Sequence, residues 1–322
     1  MRTALCERLG IEVPVIQGSL GPWSSVALAA AVSEAGGLGT LGTALLSADQ
    51  IRADIRRMRE LTDRPFAVNH TMRPLSEEAW EATLEEAPPV VSFALGDPGE
   101  RVARAHEAGA KFVFQGHTVQ QVRRAAELGV DVIVAQGTEA GGFGGWVSTL
   151  ALVPQAVDAA GGIPVAAAGG VADGRGLAAV LALGASGINI GTRFLASTEA
   201  EVADDWKGAI VEAESEEAVK ALFAPSVLPQ PSPGGFADVV PRVLHTPFVD
   251  RWNRDPEAAA LEAPRLGQEI VAAIRAGRGH EYVPFTGQTA GLIREVLPVA
   301  EIMRRLVREA EAALAAAQGT FN

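Results

Sequence analysis

The sequence predicts an α/β fold, a (β/α)8 TIM barrel with a smaller, mostly helical C-terminal covering segment. The first observation is a series of eight short apolar runs, which begin near residues 13, 37, 65, 90, 111, 131, 163 and 187. Each run fits a parallel strand that is covered on both faces. The second observation is that helical stretches separate these runs, an alternation typical of a closed barrel. A doubly wound open sheet is the structural alternative, but eight even units favour closure.

The helical stretches carry recognisable end signals. The stretch "SADQIRADIRRMRELT" begins at Ser47, whose hydroxyl fits an N-cap. The stretch "TVQQVRRAAELG" begins at Thr118 and ends at Gly129, which fits a glycine C-cap. Small hydroxyl residues satisfy the free N–H groups at a helix start, and glycine tolerates the left-handed conformation that often follows a helix end. These signals predict two of the outer helices of the barrel.

The alternation of strands and helices stops after Arg193. Residues 222–256 are rich in proline and too long for an idle connection inside a compact domain, so they fit a cover or an oligomer contact. A helical pattern resumes near residue 286. We therefore predict a (β/α)8 barrel over residues 1–200, a covering or substrate segment over 201–285, and helices that return to the barrel over 286–322.

Composition limits the classes of partner. The chain has 322 residues, a hydrophobic content of 48% and a formal net charge of −12, which argues against nucleic-acid binding. The single cysteine, Cys6, cannot form an internal disulfide, and the first residues lack the apolar core of a signal peptide. The apolar runs are too short to span a membrane. We predict a cytoplasmic protein with a small-molecule substrate and no membrane partner, and leave a homo-oligomer open.

The ends of the predicted strands are rich in amides and glycine. A TIM barrel concentrates its chemistry at the C-terminal ends of its strands. The amides there are Asn69, Gln115 and Gln136, and the histidines are His70 and His117. No lysine stands at a strand end for a Schiff base, and no cluster of histidines and carboxylates has metal-ligand spacing, so we predict no metal site.

The loops after the seventh and eighth predicted strands are the most specific feature. "AAAGGVADGRG" places Gly169 and Gly170 after a strand and Gly174 at a helix start, and "NIGTRF" places Gly191 and Thr192 after the next strand. Barrels commonly bind phosphate at this position on backbone N–H groups. A phosphate site facing neutral amides suits FMN. A sugar-phosphate substrate is the alternative.

Several stretches together resemble the nitronate monooxygenase family, formerly called 2-nitropropane dioxygenase. They are "PVIQGSL", "AAAVSEAGGLGTLG", "RPFAVN", "AQGTEAGG", "PVAAAGGVADGRGLAAVLALGASGINIGTRFLAS" and "GQTAGLI". The resemblance implies a barrel with a smaller covering domain and non-covalently bound FMN. It places FMN contacts at Gly18, Ser19, Leu20, Asn69, Gln115, Gln136, Gly141, Gly142, Gly169, Gly170, Gly191 and Thr192. Residue 115 departs from the pattern, since some members have lysine there.

The loop "AQGTEAGGFGGW" departs from the family pattern at one functional position. The family typically reads AGGH, and its histidine removes the proton α to the nitro group. Phe143 stands at that place here, and a phenyl ring cannot accept a proton. His70 and His117 are the predicted substitutes for this base. Phe143 would present an apolar edge to whatever stacks on the flavin, and the glycines would let the backbone approach the cofactor.

The resemblance implies an FMN-dependent oxidoreductase that oxidises a nitronate, or a related small anionic substrate, with O2. A nitronate arrives already deprotonated, so this route needs no base. One alternative is an FMN-dependent quinone or enoyl reductase with NAD(P)H as co-substrate. The other is a flavin-binding protein whose catalysis has lapsed with the histidine.

Overall fold

A computed structural model describes residues 1–23 and 25–319. The strands in this part of the chain are β1 (Val15–Gln17), β2 (Gly39–Gly42), β3 (Phe66–Thr71), β4 (Val90–Ala94), β5 (Lys111–Gly116), β6 (Val132–Gln136), β7 (Gly142–Gly144), β8 (Val165–Ala168), β9 (Gly187–Ile190), β10 (Ala218–Lys220) and β11 (Val240–Leu244). Eight of them are parallel and follow the order β1-β9-β8-β6-β5-β4-β3-β2. The strands of this sheet are apolar because helices cover them.

A bridge between β1 and the residue before β2 closes the sheet into a barrel. The N–H of Leu38 donates to the carbonyl of Val15, and the N–H of Gln17 donates to the carbonyl of Leu38, both at 2.9 Å. Helix α1 (Ala4–Leu9) buries Leu5, Cys6 and Leu9 in one cluster with strand residues of the barrel. The predicted TIM barrel is confirmed.

The remaining helices mostly surround the barrel or build the cover. They are α2 (Val26–Glu34), α3 (Ala48–Leu61), α4 (Glu77–Glu85), α5 (Arg101–Glu107), α6 (Val119–Glu127), α7 (Thr149–Ala159), α8 (Gly174–Ala182), α9 (Thr192–Leu195), α10 (Asp204–Glu212), α11 (Ala224–Val227), α12 (Pro247–Asn253), α13 (Pro256–Leu261), α14 (Ala263–Arg275) and α15 (Val299–Gly319). The hydroxyl groups of Ser47 and Thr118 cap α3 and α6, and Gly129 has φ +76° after α6. These predicted helix ends are confirmed. No helix in the described ranges is long and apolar enough to cross a membrane.

The covering segment carries its own apolar cluster and a small antiparallel sheet. Buried side chains of this cluster include Phe223, Val243, Trp252, Ile270 and Val283. The sheet has the order β10-β11-β7, so it takes in three residues of the glycine-rich loop from the barrel. Helix α15 returns to pack against α8 and α2. The glycine loop therefore joins the barrel to its cover.

Candidate active site

A cavity of about 420 Å³ opens at the C-terminal ends of the barrel strands, beneath the covering segment. It brings together most of the residues that the sequence predicts for the site. Those lining it are Gly18, Ser19, Leu20, Asn69, His70, Gln115, Gln136, Gly141, Gly142, Phe143, Gly169, Gly191 and Thr192. Gly170 and His117 do not line it. The cavity has the position that barrel enzymes use for cofactor and substrate.

Three amides from neighbouring strand ends form one wall of the cavity. Asn69 Oδ1 accepts a hydrogen bond of 2.7 Å from the hydroxyl of Ser92. Gln115 donates from Nε2 to Gln136 Oε1, and Gln136 Nε2 donates to the carbonyl of Phe143 at 3.0 Å. The strand ends and these hydrogen bonds fix the orientation of each amide. The wall is polar and uncharged, as the sequence predicts.

A second wall is formed by glycine-rich turns after β8 and β9, next to the β6 end of the amide wall. Gly169 and Gly170 have φ +92° and +73°, in the left-handed region that glycine tolerates. Asn189 also lines the cavity, and its Oδ1 is buried without a hydrogen-bond partner. A Cβ added to Gly18 would lie 3.0 Å from this oxygen. The wall therefore pairs a narrow backbone cradle with a buried acceptor that lacks a donor.

Gly174 faces away from this wall, contrary to the sequence-based expectation of a phosphate beside it. Its N–H donates to Glu309 Oε2 at 3.2 Å, and a Cβ on it would lie 2.3 Å from the backbone N of Ala310. The Asp173 carboxylate caps the same helix start by accepting from the N–H of Gly176. Two carboxylates and helix α15 thus close the N-terminus of α8 to an anion. The expectation of a phosphate at Gly174 was wrong. The sequence gives no sign of the contact with Glu309, because that residue lies 135 positions further along the chain.

His70 borders the cavity but is only 1% exposed. Its Nε2 lies 2.9 Å from the hydroxyl of Thr83, which donates its own proton to the carbonyl of Ala79, so Nε2 carries the hydrogen. Its Nδ1 lies 3.3 Å from the hydroxyl of Thr43. Burial, and secondarily the charge of Arg101, lowers the pKa of His70 to about 3. His70 is therefore neutral, with Nε2 engaged, whereas the Thr43 hydroxyl near Nδ1 donates its proton to the carbonyl of Asn69 at 2.9 Å.

His117 is buried beneath the glycine loop and not at the cavity. Its Cβ lies 2.9 Å from the position of a Cβ on Gly145, and its ring packs edge-on against Phe236. Within residues 1–23 and 25–319 neither ring nitrogen has a partner with good hydrogen-bond geometry, although the backbone of Gln136 is close enough to raise the pKa of the ring slightly. Burial, followed by the charge of Lys220, lowers the pKa of His117 to about 4. The structure brings neither predicted substitute to the cavity as a free base.

Phe143 lies in β7, opposite Pro241 of β11. Its ring packs edge-on against Phe285, with ring centres 5.9 Å apart. The guanidinium carbon of Arg73 lies 4.5 Å from the centre of the same ring. Phe143 is thus an apolar contact between the barrel, the glycine loop and the cover.

Close packing within the protein accounts for two glycines of this loop. A Cβ on Gly141 would lie 2.7 Å from the backbone N of Gly287, and a Cβ on Gly145 would meet His117. These two contacts are within the protein, whereas the sequence predicts that the glycines let the backbone approach a cofactor. Gly142 is explained by its backbone, because its φ of +70° lies in the left-handed region that favours glycine.

Two cations were not predicted from the sequence: Arg73 at the cavity, and Lys220 beside the glycine loop. Arg73 follows β3, lines the cavity and is 8% exposed. Lys220 donates from Nζ to the carbonyls of Gly144, Gly145 and Val240 at 3.1, 3.1 and 2.8 Å. Burial, with a smaller contribution from Arg242, lowers the pKa of Lys220 to about 8. The only signal for Arg73 was its place two residues after a strand end.

The fold and the site define a TIM-barrel enzyme with a cofactor-sized cavity between an amide wall and a glycine wall. Its sequence matches the profile of the nitronate monooxygenase family over residues 2–82 and 77–309. The chain belongs to this family, whose members are flavin-dependent in general, and it is an oxidoreductase. The predicted family is confirmed.

Of three similar proteins, two match nearly the whole chain and one matches about two thirds of it. A nitronate monooxygenase of Paraburkholderia phytofirmans is 33% identical, over 96% of this chain and 95% of its own. The structure of FabK from Thermotoga maritima matches with a TM-score of 0.89 and 33% identity, over 99% of both chains. A Mycobacterium tuberculosis protein, (3aS,4S,5R,7aS)-5-hydroxy-7a-methyl-1-oxo-octahydro-1H-indene-4-carboxyl-CoA dehydrogenase, is 41% identical over 63% of this chain. The match spans 58% of that protein's length.

Proposed function

We propose that this protein is an FMN-dependent oxidoreductase that uses O2 to oxidise a nitronate, or a related small substrate that arrives as an anion. One observation carries the proposal. Among the described residues that line the cavity, the ionisable side chains are Arg73 and His70, and burial lowers the pKa of His70 to about 3, so this histidine is neutral and a very weak base. The cavity therefore offers a cation to an anionic substrate and no free base to a neutral one.

The residues present fit FMN. The orphaned Oδ1 of Asn189 needs a donor, which a hydroxyl of the ribityl chain would supply. Gly169, Gly191 and Thr192 would hold the phosphate beside it, and Gly18, Ser19 and Leu20 border the same wall. Asn69, Gln115 and Gln136 would hold the polar edge of the ring. Bound there, FMN would supply reversible one- and two-electron transfer.

The protein's own side chains would bind and shield the substrate. Phe143, Phe285 and Trp23 line the cavity with aromatic surface and limit the access of water. Nothing at residue 143 can remove a proton, and a well-placed general base contributes roughly 10²–10⁴-fold to rate. A nitronate escapes this loss because it is already deprotonated. The arrangement thus favours the anion strongly over the parent nitroalkane.

A reductase of quinones or enoyl groups, with NAD(P)H as co-substrate, is the second candidate. The cavity wall beyond the amides is apolar, with Leu75, Leu95, Leu228 and Ile270 among its residues. Such a wall suits a substrate with an apolar body, and hydride transfer needs no side-chain base. The relative named as a carboxyl-CoA dehydrogenase supports this class of chemistry. Because this relative matches a smaller part of the chain, the O2-dependent oxidation of a nitronate is the first choice.

Anaerobic stopped-flow mixing of the purified holoenzyme separates the candidates. The flavin should bleach with a nitronate and hardly at all with the parent nitroalkane. Oxygenated turnover should then release nitrite and a carbonyl compound. Fast bleaching by NADH or NADPH, with slow bleaching by nitronate, would instead identify the reductase. A flavin that none of these compounds bleaches would indicate lapsed catalysis and refute both.

A further inference from the structure

Arg73 is a buried cation without a counter-anion. Its side chain is 8% exposed, and burial lowers its pKa from the ordinary value while leaving it charged. Among the described residues its side-chain partners are the carbonyl of Pro229 and the ring of Phe143, and no carboxylate pairs with it. Burying an unpaired charge is unfavourable. The free protein thus keeps a charge that a bound anion would satisfy.

One edge of the Arg73 guanidinium is unengaged. Nη1 donates to the carbonyl of Pro229 at 3.1 Å, and the Phe143 ring covers one face at 4.5 Å. Nε is buried without a hydrogen-bond partner, and Nη2 has none among the described residues. Nε and Nη2 lie on the same side of the guanidinium and point in parallel. This edge matches the two oxygens of a planar anion.

Arg73 lies away from the proposed phosphate site, so the anion that it binds is not the cofactor phosphate. In the closed ring of eight strands, β3 lies four strands from β8, which is the opposite side of the barrel. The glycines proposed to hold the phosphate follow β8 and β9, whereas Arg73 follows β3 and contacts the cover. The side chains near it in the cavity wall are apolar, including Leu75, Leu95 and Leu228. Arg73 therefore belongs to the substrate side of the cavity.

We propose that Arg73 is the anion receptor of the substrate site, and that the substrate joins a planar two-oxygen anion to an apolar chain or ring. A carboxylate and a nitronate share this chemistry. The anion takes the Nε–Nη2 edge, and the apolar body lies against Phe143 and the leucines. This inference rests on the proposed function for the place of the cofactor, but it concerns binding alone.

Calorimetric titration of the holoenzyme tests the inference with matched ligands. Octanoate and the nitronate of 1-nitrooctane are the anions, and octanamide and 1-nitrooctane are their neutral counterparts, all measured without O2. Both anions should bind the wild type more tightly than their counterparts. Arg73→Gln should weaken both anions about tenfold or more, with the neutral ligands unchanged. Arg57→Gln, an exposed substitution on the outer helix α3, should change neither.

Arg73→Lys keeps the positive charge but lacks the two parallel N–H donors of the guanidinium. It serves as a second variant in case Arg73→Gln fails to fold. It should bind octanoate with intermediate affinity and octanamide like the wild type. Anion affinity that Arg73→Gln leaves unchanged, at normal flavin content and circular dichroism, would overturn the inference. Equal loss of octanamide binding in Arg73→Lys would overturn it too. A holoenzyme that neither nitronate nor NAD(P)H bleaches, yet binds octanoate through Arg73, would refute the proposed function alone.

Discussion

The ammonium of Lys220 donates a hydrogen bond of 3.1 Å to the carbonyl of Gly144, at the centre of the glycine loop. The same ammonium reaches the carbonyls of Gly145 and Val240, so it ties β7 to β11 from the side. A loop with four glycines has much backbone freedom to lose on folding. Lys220 thus holds in place the loop that carries Phe143.

Lys220→Met should loosen the glycine loop and lower the free energy of unfolding by about 2 kcal/mol. Three carbonyl oxygens would lose a charged donor, and each such bond contributes roughly 1.5–3 kcal/mol before solvent screening of this partly exposed group. Urea denaturation measures the loss, and hydrogen exchange over residues 141–146 localises it. Lys111→Met is the control, since the Lys111 ammonium donates to the carbonyl of Arg8, which is not part of the glycine loop. Unchanged exchange in the loop would contradict this role of Lys220.

The buried histidines should make the protein sensitive to acid. The pKa values of His70 and His117 lie at about 3 and about 4 in the folded protein and near 6.5 in the unfolded chain. Between pH 6.5 and 4 the unfolded state therefore binds more protons. The free energy of unfolding should fall as the pH drops through this window, by up to about 1.4 kcal/mol per pH unit for each histidine. Urea midpoints across the window measure the slope.

His117→Phe should reduce the pH dependence of the free energy of unfolding by the contribution of one histidine, up to about 1.4 kcal/mol per pH unit. The substitution removes no hydrogen bond, because neither nitrogen of His117 has a partner. Stability at neutral pH should therefore stay the same or rise, since a buried unpaired polar group is lost. An unchanged slope would mean that His117 does not stay neutral in the folded protein.

Gly191→Asp should strip the cofactor while leaving the barrel folded. Gly191 has φ −110°, which any residue adopts, and the nearest atom to an added Cβ is Cδ2 of Leu20 at 3.3 Å. The side chain of Leu20 can give way, so the fold should survive, but the new carboxylate would repel a phosphate. Gly191→Asn has the same shape without the charge and is the matched control. Flavin absorbance after gel filtration and far-ultraviolet circular dichroism report the two effects.

The wild type should release FMN, and not FAD, on heat denaturation. A colourless wild type that cannot be reconstituted with FMN would refute the cofactor proposal itself. Equal flavin loss in Gly191→Asn and Gly191→Asp would show that size and not charge matters at this position.

The barrel and the positions of its amides could be predicted from local pattern. The apolar runs mark the strands, and Asn69, Gln115 and Gln136 stand at the strand ends whatever the details of packing. The helix caps at Ser47 and Thr118 are local as well, because a capping bond spans only three residues. Features that depend on a few neighbouring residues can be read from sequence.

Long-range contacts account for what the sequence could not predict. The three-residue strand around Phe143 pairs with Pro241, nearly a hundred residues further on, and nothing local marks it as a strand. Gly141 is a glycine because Gly287 lies against it, and Gly174 is closed by Glu309. In the sequence Arg73 resembles an ordinary surface arginine, and only the folded structure shows that the covering segment buries it. Each of these depends on a fold that brings distant residues together.

Phe143→His should give the enzyme activity on neutral nitroalkanes. The imidazole would stand where the family resemblance places the base, and the charge of Arg73, now 4.5 Å from the ring, would hold its pKa below the usual 6.5. A neutral imidazole is then available at neutral pH. Anaerobic flavin bleaching by a nitroalkane should rise by about tenfold or more, and by no more than the roughly 10²–10⁴-fold that a well-placed general base contributes. Bleaching by the nitronate should change little.

The gain from Phe143→His should fade as the pH falls and the imidazole takes up a proton, because a protonated imidazole cannot act as a base. Phe143→Leu is the control: it removes the ring without adding a base and should show no gain with the nitroalkane. Rapid oxidation of neutral nitroalkanes by the wild type would show that another residue acts as the base, and would contradict the assignment of the missing base to residue 143. His70→Ala and His117→Ala would then decide which buried histidine becomes accessible in the working enzyme, since one of the two variants should lose that activity while keeping its flavin.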